Sequence, residues 1–300
     1  MKNSANEITV IIPAFRHEPK LENVVRATLA QTVLPKEIII SHSGEFEPEK
    51  SGAFCDERVT ILHEKKRLFA GAARNKAAHY VKTEFIAFLD ADVIPEPNWL
   101  ESLLKAALNQ GEHAIIVGSM GCASKGDYWG MVLWWIEFSG IHKYMPERDV
   151  FAGGSCNMMI SKDLFDKLGH FPENFHFGED TTIQSRHLKI GGRVHFVPKA
   201  CVRHFNKKGL KNCYTHLFNL GFGSGRVRKT FPLPGHLAIR FPLLSFPLAG
   251  IRFLQILYRA IRFGKGARLD FLLHAPGIFL ALPSWGLGFY CQAKNLILND

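Results

Sequence analysis

The stretch Phe85-Ile86-Ala87-Phe88-Leu89-Asp90-Ala91-Asp92 limits the possible folds more than any other part of the chain. Five apolar residues end abruptly in two carboxylates one residue apart, and Val93-Ile94-Pro95-Glu96-Pro97 follows. A run this short and this rich in β-formers reads as a buried strand. Open α/β sheets gather their ligands beyond the carboxyl ends of strands, which is where the two acids stand. Side chains alternate along an extended chain, so Asp90 and Asp92 share a face. A hard divalent cation bound to phosphates wants this kind of site, with few oxygen ligands and open positions for phosphate and water. An acidic loop with a helix cap would give the same letters, so the weight of the motif depends on the rest of the chain.

That rest alternates strand and helix. Ile8-Thr9-Val10-Ile11-Ile12 is a doubly buried strand ending at Pro13, and residues 19–31 have helical spacing, with Leu21, Val24, Val25, Thr28 and Leu29 on one side. Glu37-Ile38-Ile39-Ile40 and Arg58-Val59-Thr60-Ile61-Leu62 are further strands, and Gly71 to Ala78 is a small-residue helix leading into Phe85. Pro97 to Leu108 is a helix stopped by Gly111, and Ala114 to Gly118 is a strand. Trp129 to Phe138 is aromatic and fits either a helix or a lid over the sheet. A short helix over Asp163 to Leu168 and a strand over Val194 to Pro198 follow. Between these two, Phe177-Gly178-Glu179-Asp180 opens a helix whose apolar face would use Ile183, His187, Leu188 and Ile190. This order predicts an α/β fold with a mostly parallel sheet covered by helices. Acids at a helix start are favoured by its dipole alone, which accounts for one of the pair Glu179 and Asp180 but not both.

Composition divides the chain. Residues 1–198 carry 22 Lys+Arg against 25 Asp+Glu, whereas residues 199–300 carry 15 against 2. The excess of +10 therefore belongs wholly to the C-terminal third. It points that third towards an anionic partner, lipid or nucleic acid. Its aromatic and apolar surroundings argue for lipid and against nucleic acid. The six cysteines are widely spaced without a C-x-x-C pair, which excludes a zinc ribbon and a small disulfide scaffold. They fit reduced thiols in the cytosol. The first seven residues lack an apolar signal core, so export is not expected.

Four blocks together give the chain a resemblance to the family 2 glycosyltransferases, over roughly residues 8–205. They are Ile11-Ile12-Pro13-Ala14-Phe15, Ala73-Arg74-Asn75, Asp90-Ala91-Asp92, and Gly178-Glu179-Asp180 with Arg186 beyond. The resemblance implies the GT-A fold, with a catalytic domain over 1–205 and a basic, apolar helical region over 206–300. It implies that Asp92, with Asp90 and His204, holds Mg²⁺ or Mn²⁺ against the donor diphosphate. Asp180 would be the general base, Glu179 would orient the acceptor or support Asp180, and the sugar carbon would be inverted. Pro13, Ala14, Phe15, Ser41, Ser43, Arg74, Asn75, Asp90 and Ala91 would line the donor site. For Arg74 and His204 a structural role stands beside the functional one. Ser41-His42-Ser43 occupies the place where the family usually has Asp, a departure that bears on the expected UDP donor.

The processive Q-x-x-R-W motif has no counterpart here, so transfer of one sugar per encounter is expected. Leu210 onwards is helical and leads into a basic loop from Gly221 to Lys229. In residues 251–262, Arg252, Gln255, Arg259 and Arg262 form one polar stripe on an otherwise apolar helix, the pattern of an interfacial membrane helix. Phe271 to Ala293 has no Asp, Glu, Lys or Arg, but Pro276 and Pro283 divide it into two expected pieces dipping into one leaflet. Residues 236–293 are therefore expected to meet the cytoplasmic face of a membrane, with a lipid-linked saccharide or glycolipid as acceptor. A transferase acting on polyprenyl phosphate and a non-catalytic sugar-nucleotide-binding protein are the alternatives.

Overall fold

A computed structural model describes residues 8–111 and 113–296, which form two compact units. The first runs through Gly121 and resumes over Pro146–His204; the second holds Cys122–Met145 and everything from Phe205.

The first unit is built on β1 (Ile8–Phe15), β2 (Glu37–Ser43), β3 (Val59–Glu64), β4 (Phe85–Leu89), β5 (Val93–Pro95), β6 (Ala114–Cys122), β7 (Arg148–Val150), β8 (Asn157–Ser161) and β9 (Arg193–His204). These strands make one sheet in the order β3-β2-β1-β4-β8-β6-β9-β5, with β7 beside β9. The pairs β3–β2, β2–β1 and β1–β4 are parallel, while β4–β8, β8–β6 and β9–β5 are antiparallel. The side chains of Val10, Ile11, Ile12, Ile38, Ile39 and Ile40 are fully buried, as is most of β4, because these strands are covered on both faces. Pro13 does not end β1, contrary to the sequence expectation. Beyond Ile11 the strand pairs only with β2, where one missing N–H is tolerated.

The helices of the first unit include α1 (Leu21–Leu29), α2 (Ala70–Ala78), α3 (Trp99–Gln110) and α6 (Glu179–Lys189), of which α2 and α6 carry residues of the site. In chain order α4 (Tyr128–Phe138) precedes α5 (Lys162–Lys167). On α1 the predicted Leu21, Val24, Val25 and Thr28 are buried. On α6 the buried set includes Ile183 and His187 as predicted, but Ile190 is exposed and the face turns instead through Thr182 and Ser185.

The second unit contains α4, α7 (Leu210–Thr230), α8 (Leu237–Arg240), α9 (Ser245–Phe263) and α10 (Arg268–Ala293). Three sequence expectations change here. The aromatic segment is the helix α4, and it packs among the C-terminal helices rather than lying as a lid, because Met131 to Ile136 are all buried. Residues 122–145 therefore leave the domain to which the sequence assigned them. The Gly221–Lys229 segment is helix, not loop. Its glycines are a packing face: a Cβ on Gly221 would lie 1.9 Å from Trp285 O, and one on Gly288 would lie 1.9 Å from Phe218 O. Backbones of α7 and α10 meet at a distance that any side chain would prevent.

The third change is that α10 is one helix through both prolines, which sit on its exposed side. Tyr128 Oη accepts from Gly277 N (3.1 Å), Ser284 Oγ donates to Tyr214 O (2.9 Å), and Tyr214 Oη donates to Leu280 O (3.1 Å). These neighbours tie down the backbone that proline loosens. The helix is long and apolar enough to cross a membrane, and half of its most apolar window is buried against the unit.

On α9 the cationic stripe is divided. Arg252 donates to Ile136 O (2.9 Å) and Arg259 to Ser139 Oγ (3.3 Å), both on α4 or its end, whereas the exposed positions are Phe246, Ile251, Leu254, Tyr258 and Ile261 with Gln255 and Arg262. The outward face of α10 is apolar as well, through Leu269, Leu272, Leu273, Phe279, Leu280 and Leu287.

Candidate active site

The buried Arg74 is the hub of the site. It enters from α2, and its guanidinium reaches in two directions: Nη2 donates to Asp90 Oδ1 (2.5 Å) and Nη1 to Glu179 Oε1 (3.1 Å). Burial works against its charge, but Asp90 and then Glu179 outweigh that cost and hold its pKa above the ordinary value. The face of Phe171 lies 5.5 Å away. Arg74 thus links the end of β4 to the start of α6, two segments that only the fold brings together.

Glu179 and Asp180 are presented by Gly178, whose φ of 90° is a left-handed conformation that favours glycine and turns the chain sharply into α6. Burial, then the adjacent charge of Asp180, push Glu179 up to about 7 against the pull of Arg74. Burial also raises Asp180, although Oδ1 accepts from Thr181 N (2.6 Å) and Thr181 Oγ1 (3.2 Å). Asp180 retains more exposure than Glu179 and has no cation on its carboxylate among the described residues. A partly buried carboxylate whose affinity for a proton is raised can take one from a hydroxyl.

Asp92 follows β4 and precedes β5, and the β5–β9 ladder sets Val93 opposite His204. Asp92 Oδ1 is consequently 3.8 Å from His204 Nε2. Burial raises the Asp92 carboxyl, His204 opposes the rise, and Asp90 adds to it. One carboxylate and one imidazole suit Mn²⁺ or Mg²⁺ when donor phosphates complete the shell. Asp90 stands beside Asp92 and gives Oδ1 to Arg74. Among the described residues no group of three or more His, Cys, Asp and Glu side chains is arranged to hold a metal alone. The residues fit a cation shared with a ligand.

The remaining predicted residues divide into two groups. Pro13 and Phe15 are half-buried and Ala14 buried at the end of β1; the Phe15 ring lies between the guanidinium groups of Arg16 (4.9 Å) and Arg67 (4.8 Å). Ala91 is buried between the two acids. Ser41 and Ser43, in contrast, have no exposed surface, and Ser43 Oγ accepts from Leu68 N (3.1 Å). His42, buried with them, donates through Nε2 to Arg16 O (2.9 Å) and meets His63 Nδ1 at 3.0 Å through Nδ1. Burial pushes its pKa down, and its ring is committed to the chain rather than to a base. Asn75 likewise spends its amide on Phe171 N, Phe171 O and Glu173 Oε1, fixing the loop before α6. Arg186 Nη1 gathers the carbonyls of Leu168, Gly169 and His170 at the end of α5.

Two contributors escaped the sequence reading. Gln184 clamps Gly153 through both N–H and C=O at 2.7 Å, tying the Phe151–Cys156 segment to α6. Arg67 closes the run Lys65-Lys66-Arg67 and stacks on both Phe15 and Phe69. That basic run before α2 was a visible signal.

The family described as Glycosyl transferase family 2 matches residues 9–169, more than half of the chain. The chain belongs to this family. Its sheet displays the α/β GT-A architecture. The match ends before the pair Glu179 and Asp180, and before His204. A pre-mycofactocin glycosyltransferase of Mycobacterium tuberculosis is 26% identical over 70% of this chain and 45% of its own length, so the chain spans about half of that relative. The glycosyltransferase GlyG of Streptococcus pneumoniae is 25% identical over 63% of this chain and 67% of its own. A glucosyl-dolichyl phosphate glucuronosyltransferase of Haloferax volcanii is 22% identical over 63% of each. Among solved structures, GalNAc-T7 with UDP, GalNAc and Mn²⁺ shares the fold with a TM-score of 0.51 and 17% identity, over 73% of this chain and 47% of that one.

Proposed function

We propose that this family 2 enzyme is a metal-dependent, inverting glycosyltransferase that moves one sugar from a nucleotide-diphosphate donor to an acceptor presented at a membrane. The observation that carries the reading is the Arg74 bridge, which joins the Asp90 end of the donor side to the Glu179–Asp180 pair. Residues for leaving-group departure and for activation of a nucleophile are thereby fixed in one frame.

Asp92 and His204 would hold Mg²⁺ or Mn²⁺, which when bound neutralises charge on the departing diphosphate. Arg74 keeps Asp90 oriented beside Asp92. Asp180 accepts the proton of the acceptor hydroxyl as that oxygen bonds to the anomeric carbon from the face opposite the leaving group. The bond from that carbon to the diphosphate oxygen breaks, and the configuration inverts. Glu179, buried and tied to Arg74, fixes the first turn of α6 from which Asp180 projects, and burial raises the affinity of Asp180 for a proton. Phe15 and Arg67 border the donor side, and UDP is the nucleotide that the GalNAc-T7 likeness suggests testing first.

The membrane part of the proposal is supported by the outward apolar faces of α9 and α10 within residues 236–293. The name of the Haloferax relative points in the same direction. The cytoplasmic leaflet is the proposed location, since nucleotide sugars are cytosolic donors.

The test is release of nucleoside diphosphate from a panel of nucleotide sugars with Mn²⁺, followed by acceptor assays. Inverted product from wild type, with negligible release by Asp180→Asn, is expected. Equal release by both proteins would remove Asp180 from the role of base, and a product of retained configuration would overturn the mechanism.

A further inference from the structure

Helix α6 touches one loop at two points. Asp180 and Gln184 lie one turn apart on it and so share a face, and both meet the segment from Ala152 to Cys156 that joins β7 to β8. Gln184 has no exposed surface. Its Oε1 accepts from Gly153 N and its Nε2 donates to Gly153 O, both at 2.7 Å, so one side-chain amide pairs with the N–H and the C=O of a single residue. Two residues on, the buried Ser155 gives its backbone N–H to the Asp180 carboxylate. The loop is held from the sheet side as well. A Cβ on Gly153 would lie 2.8 Å from the side chain of Val117 on β6, so the chain passes between sheet and helix where a side chain has no room. Beyond the loop, Asn157 opens β8 with its amide spent: Oδ1 accepts from Trp99 Nε1 (2.7 Å), and Nδ2 donates to Ser119 O and Ala200 O (3.0 Å each). The sheet anchors the loop where β8 begins, and Gln184 anchors it on the helix that carries Asp180.

We propose that Gln184 is a positioning residue for Asp180: by clasping Gly153 it sets the Ser155 N–H on the Asp180 carboxylate and so aims the base at the acceptor hydroxyl. The proposal rests on the reading of Asp180 as general base and adds what keeps that base usable. A primary amide suits the task because it carries both a donor and an acceptor, which a carboxylate does not. Burial raises the affinity of Asp180 for a proton, and the backbone N–H groups of Thr181 and Ser155 oppose the rise. The charged groups around Asp180 are Arg74 from α2 and Glu179 on its own helix, with Asp90 bearing on Glu179 from the end of β4. The Thr181 N–H belongs to α6 and stays with Asp180 wherever the helix goes. The Ser155 N–H is present only while the loop is held against the helix. A base that binds its proton too tightly is already occupied at the working pH, so the loop donor keeps Asp180 free to accept one.

The experiment is the pH profile of kcat/KM for nucleoside diphosphate release by the full chain with Mn²⁺, using the nucleotide sugar that wild type cleaves fastest. The acid limb of that profile follows ionisation of the base in the free enzyme. Gln184→Met keeps the volume and removes both hydrogen bonds. It should lower kcat at least about tenfold with KM for the donor near that of wild type, since a displaced catalytic group is felt in the rate. The acid limb should move up by about one pH unit, the shift expected when a carboxylate loses a charge-assisted hydrogen bond. His187→Gln is the control on the same helix, where the ring Nε2 accepts from Arg193 N (3.1 Å), and its limb should stay where wild type has it. If Gln184→Met melts below the assay temperature, Gln184→Asn replaces it; its amide is one methylene short of Gly153, and the same upward shift is expected. A limb that stays in place in the Gln184 variant, or moves equally in His187→Gln, would overturn the positioning role whatever the loss of rate. Failure of the underlying reading looks different. Release by Asp180→Asn at the wild-type rate would remove Asp180 as the base, whereas an inactive Asp180→Asn beside an unmoved limb in Gln184→Met would sink this inference alone.

Discussion

The guanidinium of Arg74 stands 3.1 Å from Glu179 Oε1, so helix α2 and the first turn of α6 share one buried charge pair. The same guanidinium holds Asp90 at 2.5 Å. Replacing Arg74 with Met should leave two carboxylates facing each other without their cation. A loss of about 3–5 kcal/mol is expected from breaking a buried pair in this way. Arg74→Lys keeps the charge but cannot span both acids, and should fall between the two in thermal melting and in rate of nucleoside diphosphate release.

Asp180→Asn should lower kcat by about 10²–10⁴, the usual worth of a general base, with donor affinity little changed. Steady-state kinetics with calorimetric donor binding would separate the two effects. A fall in donor affinity matching the fall in rate would assign Asp180 to binding.

Asp92→Ala and His204→Ala should each raise the Mn²⁺ concentration needed for half-maximal activity, by at least about tenfold for the carboxylate. Manganese titration at saturating donor is the measurement. Unchanged metal dependence in both variants would place the cation elsewhere.

Glu179 titrates near 7 in the folded chain against an ordinary 4.5. Because the folded form binds the proton more tightly, this group favours folding below about pH 4.5, and the benefit fades as the pH rises through 7. The difference in stability between wild type and Glu179→Gln should therefore slope between these limits and be flat above them. Denaturant melts from pH 4 to 8 would reveal it, and a slope of opposite sign would contradict the burial of Glu179.

Gly288→Val places carbon where Phe218 O already sits. Overpacking typically costs about 1–3 kcal/mol, and backbone contact puts this site at the upper end or beyond. The change should lower the melting temperature and weaken vesicle binding, without moving the Mn²⁺ dependence of donor hydrolysis.

The parallel half of the sheet was legible because Ile8–Ile12, Ile38–Ile40 and Phe85–Leu89 are apolar runs bounded by turns. The positions of Asp92 and Asp180 at element ends were legible for the same reason. The partnership of Arg74 was not, since no local pattern says which of two acids a buried cation will meet. Ser41, His42 and Ser43 looked like ligand-facing residues because polar groups at a strand end usually are; the fold instead buries all three, spending Ser43 on Leu68 and His42 on His63 and Arg16. In the helical unit glycines misled. Their low helix propensity suggested a loop at Gly221–Lys229, yet close packing against α10 more than offsets it.

The origin of α4 in the middle of the chain has a consequence for biosynthesis. Its buried residues, Trp134 and Trp135 among them, pack within a unit whose other helices begin at Leu210 and end at Ala293. At roughly 5–20 residues per second, α4 leaves the ribosome on the order of ten seconds before α10 is complete. During that interval an apolar helix waits without its partners. The nascent enzyme is thus most exposed to aggregation, and most open to capture by a chaperone or a bilayer, after its catalytic sheet has been synthesised and before the chain is finished.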